Sequence, residues 1–198
     1  MDTPPLLLAS SSSYRRTLLE RLQLPFTWQS PELDETPLPH ETPHALVQRL
    51  ALSKARALAH SHPEHIIIGS DQVAVLDHQV IGKPLHEQGA FKQLTAASGR
   101  SVTFLTAVAV LDTRAAAAQV TEQVDYVPFT VHFRQLSDAQ IQRYIAKEQP
   151  FDCAGSFKSE GLGVSLFKST EGSDATSLVG LPLIRLCDML NACGIPVP

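Results

Sequence analysis

Short apolar runs at residues 6–9 and 66–68 predict two buried strands, because a strand covered on both faces shows no polar alternation. Four serines and then a helical pattern follow the first run, which predicts strand, polar loop and helix in succession. The second run is expected to end at residues 69–72, and residues 73–76 are expected to continue as a strand.

The rest of the chain alternates between helical and extended patterns. Further helices are expected over residues 43–60, 84–98, 137–149 and 181–193. Further strands are expected over residues 26–30, 80–81, 102–111, 119–133 and 164–167, and loops over residues 31–43, 114–118 and 153–163. We therefore predict an α/β fold in one domain over residues 1–198: a mixed twisted sheet flanked by helices, with a central cleft between two lobes.

Composition narrows the classes of protein and partner. The formal net charge of −4 supplies no basic excess for a nucleic-acid backbone, so an anionic ligand needs a local basic site. Three scattered cysteines without a Cys-x-x-Cys pair argue against a disulfide framework or zinc ribbon and fit a reducing compartment. The first nine residues lack a signal-peptide pattern, and no apolar run is long enough to span a bilayer. We expect a cytoplasmic protein that binds neither nucleic acid nor membrane.

The segment at residues 10–16, Ser-Ser-Ser-Ser-Tyr-Arg-Arg, is the first candidate site. It lies between a strand and a helix, where free backbone N–H groups and the helix dipole attract phosphate oxygens. Ser10 adds a hydroxyl donor, and Arg15 or Arg16 can grip a phosphate with two N–H groups. A solvated serine-rich turn is the alternative. A Walker loop is excluded because its spaced glycines and its Gly-Lys-Ser/Thr end are missing.

Two acidic segments are candidates for metal binding or base chemistry. Asp71, at the expected end of the second buried strand, can bind a metal or take a proton from water. Residues 32–35 carry three carboxylates in a loop, and hard oxygen ligands of this kind suit Mg²⁺ or Mn²⁺. A turn aspartate that caps a backbone N–H and a solvated acidic loop are the respective alternatives.

Two lysines can place a point charge on a phosphate. Lys54 lies on or beside the apolar face of the helix over residues 43–60, and Lys83 lies in a Gly-Lys-Pro break. The alternatives are a snorkelling side chain for Lys54 and an exposed turn residue for Lys83. Together, anion binders and carboxylates at strand ends and loops indicate metal-assisted phosphoryl chemistry.

These segments, in this order, resemble the Maf family of nucleoside triphosphate pyrophosphatases over nearly the whole chain. The matching strings include Leu8-Ala9-Ser10, Tyr14-Arg15-Arg16, Pro31-Glu32-Leu33-Asp34-Glu35, Ser53-Lys54-Ala55, Gly69-Ser70-Asp71-Gln72, Gly82-Lys83-Pro84 and Val179-Gly180-Leu181-Pro182. The resemblance implies a fold like that of inosine triphosphate pyrophosphatases and a divalent cofactor, Mg²⁺ or Mn²⁺.

The resemblance also implies a role for each matching residue. The implied catalytic residues are Asp71, which activates water, Glu35, Lys54 and Lys83, with Asp71 and Glu35 as metal ligands. The implied phosphate-binding residues are Ser10, Arg15 and Arg16. The positions expected to set substrate preference are Tyr14, Gln72 and Glu160.

Two details are closest to the subfamily of 7-methyl-GTP pyrophosphatases: an aromatic residue before the two arginines, and residues 153–161, Cys-Ala-Gly-Ser-Phe-Lys-Ser-Glu-Gly. Ser13 stands where proline is usual, and Tyr14 where tryptophan is typical.

The implied reaction converts 7-methyl-GTP, or a related modified nucleotide, to the monophosphate and pyrophosphate. A non-catalytic nucleotide-binding regulator of cell division is the alternative, and a broad house-cleaning enzyme differs only in substrate breadth. A homodimer is compatible with the resemblance.

Overall fold

The computed structural model describes residues 4–114 and 121–198, which contain seven strands and six α-helices. The strands are β1 (Leu6–Ala9), β2 (Phe26–Gln29), β3 (Ile66–Leu76), β4 (Gln79–Ile81), β5 (Ser101–Asp112), β6 (Thr121–Phe133) and β7 (Phe167–Gly172). The helices are α1 (Ser13–Glu20), α2 (Pro43–Ala59), α3 (Glu87–Ala97), α4 (Asp138–Glu148), α5 (Ala175–Val179) and α6 (Leu183–Ala192).

All seven strands join one mixed sheet, in the order β2-β1-β3-β5-β6-β7, with β4 paired to β3. β1 is parallel to both β2 and β3, whereas the other pairings are antiparallel. The predicted mixed α/β sheet flanked by helices is therefore confirmed.

The alternation of side chains along β3 assigns each helix to a face of the sheet. Ile67 and Val73 point to the face that α2 covers, in two small apolar clusters. Ile66 and Ile68 point to the other face and pack with α1 and α6 at one end of the strand, while Ala74 packs with α3 and α4 at the other end. Polar residues of β3 separate the apolar clusters on each face, and this polar band is where the candidate site lies.

The helix caps predicted from the sequence are present in the structure. Thr42 accepts a hydrogen bond from the Ala45 N–H at the start of α2, and Ser137 forms a reciprocal capping box at the start of α4. Gly194 follows α6 with a φ of 76°, the left-handed conformation that ends helices.

Four expectations need correction. β3 runs without a break, so Asp71 lies inside the strand instead of at its end. The apolar residues at 164–166 lie in a 3-10 helix (Leu162–Leu166), and the strand begins only at Phe167. The described part of residues 119–133 is one strand, β6, and the loop of residues 153–163 includes a 3-10 turn (Ala154–Ser156). The short helix α5 was not predicted.

Most of the loop expected at residues 114–118 lies outside the described residues. Within the described ranges, every helix is too short or too polar to cross a bilayer.

Candidate active site

A cavity of about 760 Å³ opens where one edge of β3 loses its neighbouring strands. β1 ends at Ala9, which pairs with Gly69, and β4 pairs with β3 only from Ala74 onward. In the described part of the chain, residues 70–73 therefore have no strand beside them on this edge. The turn after β1 and the segment at residues 80–83 line the cavity. A volume of this size suits a small-molecule ligand such as a nucleotide.

Gly69 allows helix α2 to lie directly against β3. A Cβ atom at this position would be 2.1 Å from the carbonyl oxygen of Ala51 and 3.1 Å from the backbone nitrogen of Ala55. Any larger residue would therefore push the helix away from the sheet. Lys54 lies between these two helical residues, and Asp71 follows Gly69 on the same face of the strand, so the close approach brings the two side chains together.

Lys54 joins two carboxylates that are distant in the sequence. Its Nζ lies 2.7 Å from Oδ1 of Asp71 and 2.9 Å from Oε1 of Glu35. The side chains of Lys54 and Asp71 are only 9% and 10% exposed, whereas that of Glu35 is 56% exposed. Buried charges are tolerated when they are paired, and each of these has a partner. Lys54 therefore ends in an ion pair beside the cavity and does not snorkel to solvent.

A fork between Glu41 and Arg49 holds the acidic loop against α2. Oε1 of Glu41 accepts from Nε of Arg49 at 2.6 Å, and its Oε2 accepts from an Nη atom of Arg49 at 2.8 Å and from the Leu38 N–H at 3.0 Å. These hydrogen bonds, led by that of Arg49, lower the pKa of Glu41 to about 2. Of the three acidic side chains in residues 32–35, only Glu35 lines the cavity. The Asp34 carboxylate instead accepts from the Thr36 N–H at 2.9 Å, and hydrogen bonding to Thr36, first through its side chain and then through its N–H, lowers the pKa of Asp34.

The serine-rich turn forms one wall of the cavity and starts α1. The Ser12 side chain caps the helix by accepting from the Arg15 N–H, and the Ser10 hydroxyl accepts from the Ser12 N–H at 3.1 Å. Residues 10–15 all line the cavity. The positive end of the helix dipole therefore faces the cavity, as expected for a phosphate-binding turn.

Arg15 is fixed between this turn and the loop after α5. Its Nε donates to the carbonyl oxygen of Gly180 at 2.8 Å, and an Nη atom lies 3.5 Å from the Ser10 hydroxyl. Burial lowers the pKa of Arg15, while the negative charges of Asp71 and Glu35 act in the opposite direction. Since a guanidinium stays charged in proteins, Arg15 is an oriented cation at the cavity wall.

Arg16 points elsewhere. Its guanidinium carbon lies 4.8 Å from the ring centre of Trp28 on β2, a cation–π arrangement. The structure therefore brings Arg15, but not Arg16, to the cavity.

A buried polar network ties the Arg15 loop to the sheet. Ser70 is fully buried, and its hydroxyl lies 2.7 Å from the Ala107 carbonyl oxygen and 3.0 Å from the Gly180 carbonyl oxygen. The Gln72 amide donates to the Thr106 hydroxyl and to the Ser177 carbonyl, both at 2.8 Å. Gln72 thus lines the cavity, but its side-chain N–H₂ group already forms hydrogen bonds to Thr106 on β5 and to Ser177 on α5.

The sequence reasoning missed α5, although a signal exists. Asp174 is buried, and its carboxylate accepts from the Thr176 N–H at the start of α5 and from the Ile184 N–H at the start of α6. Aspartate is a typical N-cap residue, so Asp174 could have indicated this short helix.

A further part of the cavity wall, the Tyr14 end, is formed by Tyr14 and residues from the loop at 152–160. The Cys153 sulfur lies 4.0 Å from the Tyr14 hydroxyl oxygen and 3.4 Å from Oδ1 of Asp152. Burial first, and then the nearby acidic groups of Cys153 and Asp152, raise the pKa of Tyr14. Burial also raises the pKa of the Cys153 thiol to about 12, so it is not an activated nucleophile. Glu160 lines the same end and is exposed.

Nine of the ten residues singled out in the sequence line this one cavity. They are Ser10, Tyr14, Arg15, Glu35, Lys54, Asp71, Gln72, Lys83 and Glu160. Lys83 is exposed, as its position in a chain break predicts. The cavity is thus lined by cations, by the serine-rich turn, and by the carboxylates of Asp71 and Glu35, which are paired with Lys54. Asp152 and Cys153 line it too and were not singled out.

Known proteins are similar to this chain over nearly its whole length. The family model described as "Maf-like protein" matches residues 5–193. A protein of Pseudomonas savastanoi pv. phaseolicola named "7-methyl-GTP pyrophosphatase" is 65% identical over 98% of this chain and 100% of its own length. A protein of the same name from Chromohalobacter salexigens is 52% identical over 96% of each chain. A solved HAM1 protein from Coxiella burnetii shares the fold, with a TM-score of 0.51 at 13% identity over 96% of this chain and 100% of its own. On the family match and these identities, the chain belongs to the Maf family.

Proposed function

We propose that this chain is a pyrophosphatase that hydrolyses 7-methyl-GTP to 7-methyl-GMP and pyrophosphate. The observation that carries the proposal is the Lys54 ammonium, which lies between Asp71 and Glu35 in the cavity that the serine-rich turn also lines. The substrate follows from the full-length relatives that bear this name. A non-catalytic regulator would need the turn but not this buried charge cluster, so both observations favour an enzyme.

Asp71 is proposed as the general base. Asp71 lines the cavity, and Lys54 donates to its Oδ1 at 2.7 Å, so Oδ2 would be the atom that accepts a proton from water. The water loses its proton to Asp71 as its oxygen attacks the α-phosphorus, the bond to the bridging oxygen breaks, and pyrophosphate leaves. Positioned general bases contribute about 10²–10⁴ to rates, which sets the expected loss when Asp71 is removed.

The cations are proposed to bind the polyphosphate. The Nε of Arg15 is held by a hydrogen bond, which leaves its Nη atoms for a phosphate, and the exposed Lys83 at the cavity supplies a point charge. The Ser10 hydroxyl and the start of α1 add hydrogen-bond donors. These groups neutralise the charge that develops on the phosphate oxygens.

A divalent metal fits the same cluster. Two carboxylates, those of Asp71 and Glu35, already converge on one cation, the Lys54 ammonium. Within the described ranges, no group of three or more His, Cys, Asp and Glu residues forms a metal cluster, so substrate oxygens would have to complete the ligand set. Asp71 and Glu35 would hold Mg²⁺ or Mn²⁺, which when bound would neutralise phosphate charge.

The base is proposed to bind at the Tyr14 end. A 7-methylguanine ring carries a delocalised positive charge, and Tyr14 can stack on it with a cation–π energy of about 0.5–2 kcal/mol. Glu160 can accept hydrogen bonds from the guanine N1–H and N2–H. Gln72 is proposed to affect preference indirectly, because its amide holds α5.

A substrate panel with two variants tests the proposal. Purified protein is assayed for pyrophosphate release from 7-methyl-GTP, GTP and UTP, with Mg²⁺ or Mn²⁺ and with neither. We expect 7-methyl-GTP to give the highest kcat/KM, and Asp71→Asn to lower kcat by at least about 10²-fold while 7-methyl-GMP still binds. Asp188→Asn, an exposed carboxylate outside the cavity, is the matched control. Near wild-type turnover by Asp71→Asn would refute the assignment of the base.

Glu160→Gln tests the base contact separately. We expect it to reduce the preference for 7-methyl-GTP over GTP, since the amide lacks the negative charge that attracts the cationic methylated ring. An unchanged preference would show that Glu160 does not bind the base.

We also propose a cytoplasmic location, which the three free cysteines support because thiols persist in a reducing compartment. Size-exclusion chromatography with light scattering tests the predicted homodimer.

A further inference from the structure

The two ends of the cavity differ in how their charges are compensated. At the phosphate end, Asp71 and Glu35 both contact Lys54. At the Tyr14 end, Asp152 and Glu160 line the wall, and in the part of the chain that the structure describes neither forms a salt bridge. Both carboxylates at this end are therefore without an ion-pair partner among the described residues. An enzyme for a polyanion gains nothing from them unless another part of the substrate is positive.

Asp152 is held close to the aromatic ring at this end. The Cys153 sulfur bridges Oδ1 of Asp152, at 3.4 Å, and the Tyr14 hydroxyl, at 4.0 Å. Lys158 acts electrostatically on the Cys153 thiol, but its Nζ donates to the carbonyl oxygen of Glu148 at 3.0 Å and forms no ion pair with Asp152. Asp152 thus lines the same cavity as Tyr14 and, in the part of the chain that the structure describes, forms no ion pair, and the proposed hydrolysis gives it no task.

We propose that Asp152 is a specificity-determining residue, the second carboxylate of a base subsite that selects a cationic purine over a neutral one. The inference deepens the proposed function and rests on it. Glu160 accepts hydrogen bonds from donors that methylated and unmethylated guanine both carry, and its negative charge also favours the methylated ring. Asp152 adds a charge whose effect depends on the positive charge that only the N7-methylated ring carries. Because Asp152 is exposed, water and salt screen it, and we expect an effect of about threefold to tenfold.

Binding of the product-like ligands 7-methyl-GMP and GMP, measured by titration calorimetry, tests this without depending on catalysis. The variant is Asp152→Asn, which removes the charge and keeps the shape, and Asp152→Glu is the conservative variant. Glu171→Gln is the control for an equal change in net charge, since the Glu171 side chain is 81% exposed and lies outside the cavity. We expect Asp152→Asn to weaken 7-methyl-GMP by about threefold to tenfold and GMP by less than about twofold. Asp152→Glu should keep most of the preference.

Salt provides a second readout that a structural role would not change. The ratio of the affinities for 7-methyl-GMP and GMP should fall with rising ionic strength in the wild type and in Glu171→Gln. In the double variant that carries both Asp152→Asn and Glu160→Gln, this ratio should not change with ionic strength. A wild type without preference for the cationic ligand, or an Asp152→Asn variant that keeps it or loses both ligands equally, overturns the inference. An assay of pyrophosphate release from 7-methyl-GTP tests the proposed function separately. If the protein prefers 7-methyl-GMP in binding but does not hydrolyse 7-methyl-GTP, the proposed enzymatic function is wrong and the proposed role of Asp152 is still supported.

Discussion

The ion pair between Lys54 and Asp71 joins helix α2 to the floor of the cavity, and a double-mutant cycle can measure its strength. Lys54→Met keeps a long side chain in the 7% exposed position and removes the ammonium. Asp71 would then face Glu35 without the cation that separates them. Breaking a buried pair by removing one partner costs about 3–5 kcal/mol.

The cost at this site should be lower, because Asp71 borders an open cavity and Arg15 contributes positive charge. We expect Lys54→Met to lower the free energy of unfolding by about 2–3 kcal/mol. For a chain of this size, that corresponds to a fall in Tm of about 4–12 °C.

The assay is urea unfolding of wild type, Lys54→Met, Asp71→Asn and the double variant. If the pair exists, Asp71→Asn costs less in the Lys54→Met background than in the wild type, with a coupling energy of at least about 1 kcal/mol. Lys92→Met, an exposed lysine on α3, is the matched control and should show additive behaviour with Asp71→Asn. Additivity of Lys54→Met and Asp71→Asn within about 0.3–0.5 kcal/mol would contradict the pairing.

Three further predictions test the elements that build the cavity. Gly69→Ala should lower the free energy of unfolding by about 1–3 kcal/mol and reduce activity, because its Cβ would lie 2.1 Å from the Ala51 carbonyl oxygen. Chemical denaturation and steady-state kinetics measure the two effects. Unchanged stability and activity would show that α2 can move away from the sheet without cost. The low pKa of Glu41, about 2 against an ordinary 4.5, stabilises the fold above pH 4.5, and this contribution disappears as the pH falls towards 2. Unfolding measured across that pH range should therefore change less in Glu41→Gln than in the wild type, and parallel curves would argue against the fork with Arg49. Arg15→Lys loses the Nε donor and should raise the KM for 7-methyl-GTP about tenfold in steady-state assays, whereas an unchanged KM would remove Arg15 from phosphate binding.

Much of the fold could be predicted because its signals are local. Pro43 after a capping threonine, the capping box at Ser137 and the isoleucine run at residues 66–68 each depend on a few neighbouring residues. The five-residue helix α5 is shorter than two turns, so hydrophobic periodicity cannot reveal it. Strand β7 was misplaced because its exposed positions read as polar sequence, while the apolar residues before it form a 3-10 helix.

The site residues could be named from the sequence, but their arrangement could not. The cavity exists because β1 ends at Ala9 while β3 continues past Asp71, and the lengths of paired strands depend on residues far apart in the chain. The orientation of Arg16 towards Trp28 likewise depends on β2, which the helix pattern does not include. Asp152 went unnoticed because only the fold places it beside Tyr14.

The position of water attack tests the central claim most directly. The wild type is incubated with 7-methyl-GTP in ¹⁸O-labelled water, and the products are separated and analysed by mass spectrometry. Attack at the α-phosphorus predicts one labelled oxygen in 7-methyl-GMP and none in pyrophosphate. Label in pyrophosphate, or release of orthophosphate with a nucleoside diphosphate, would contradict the proposed chemistry at Asp71.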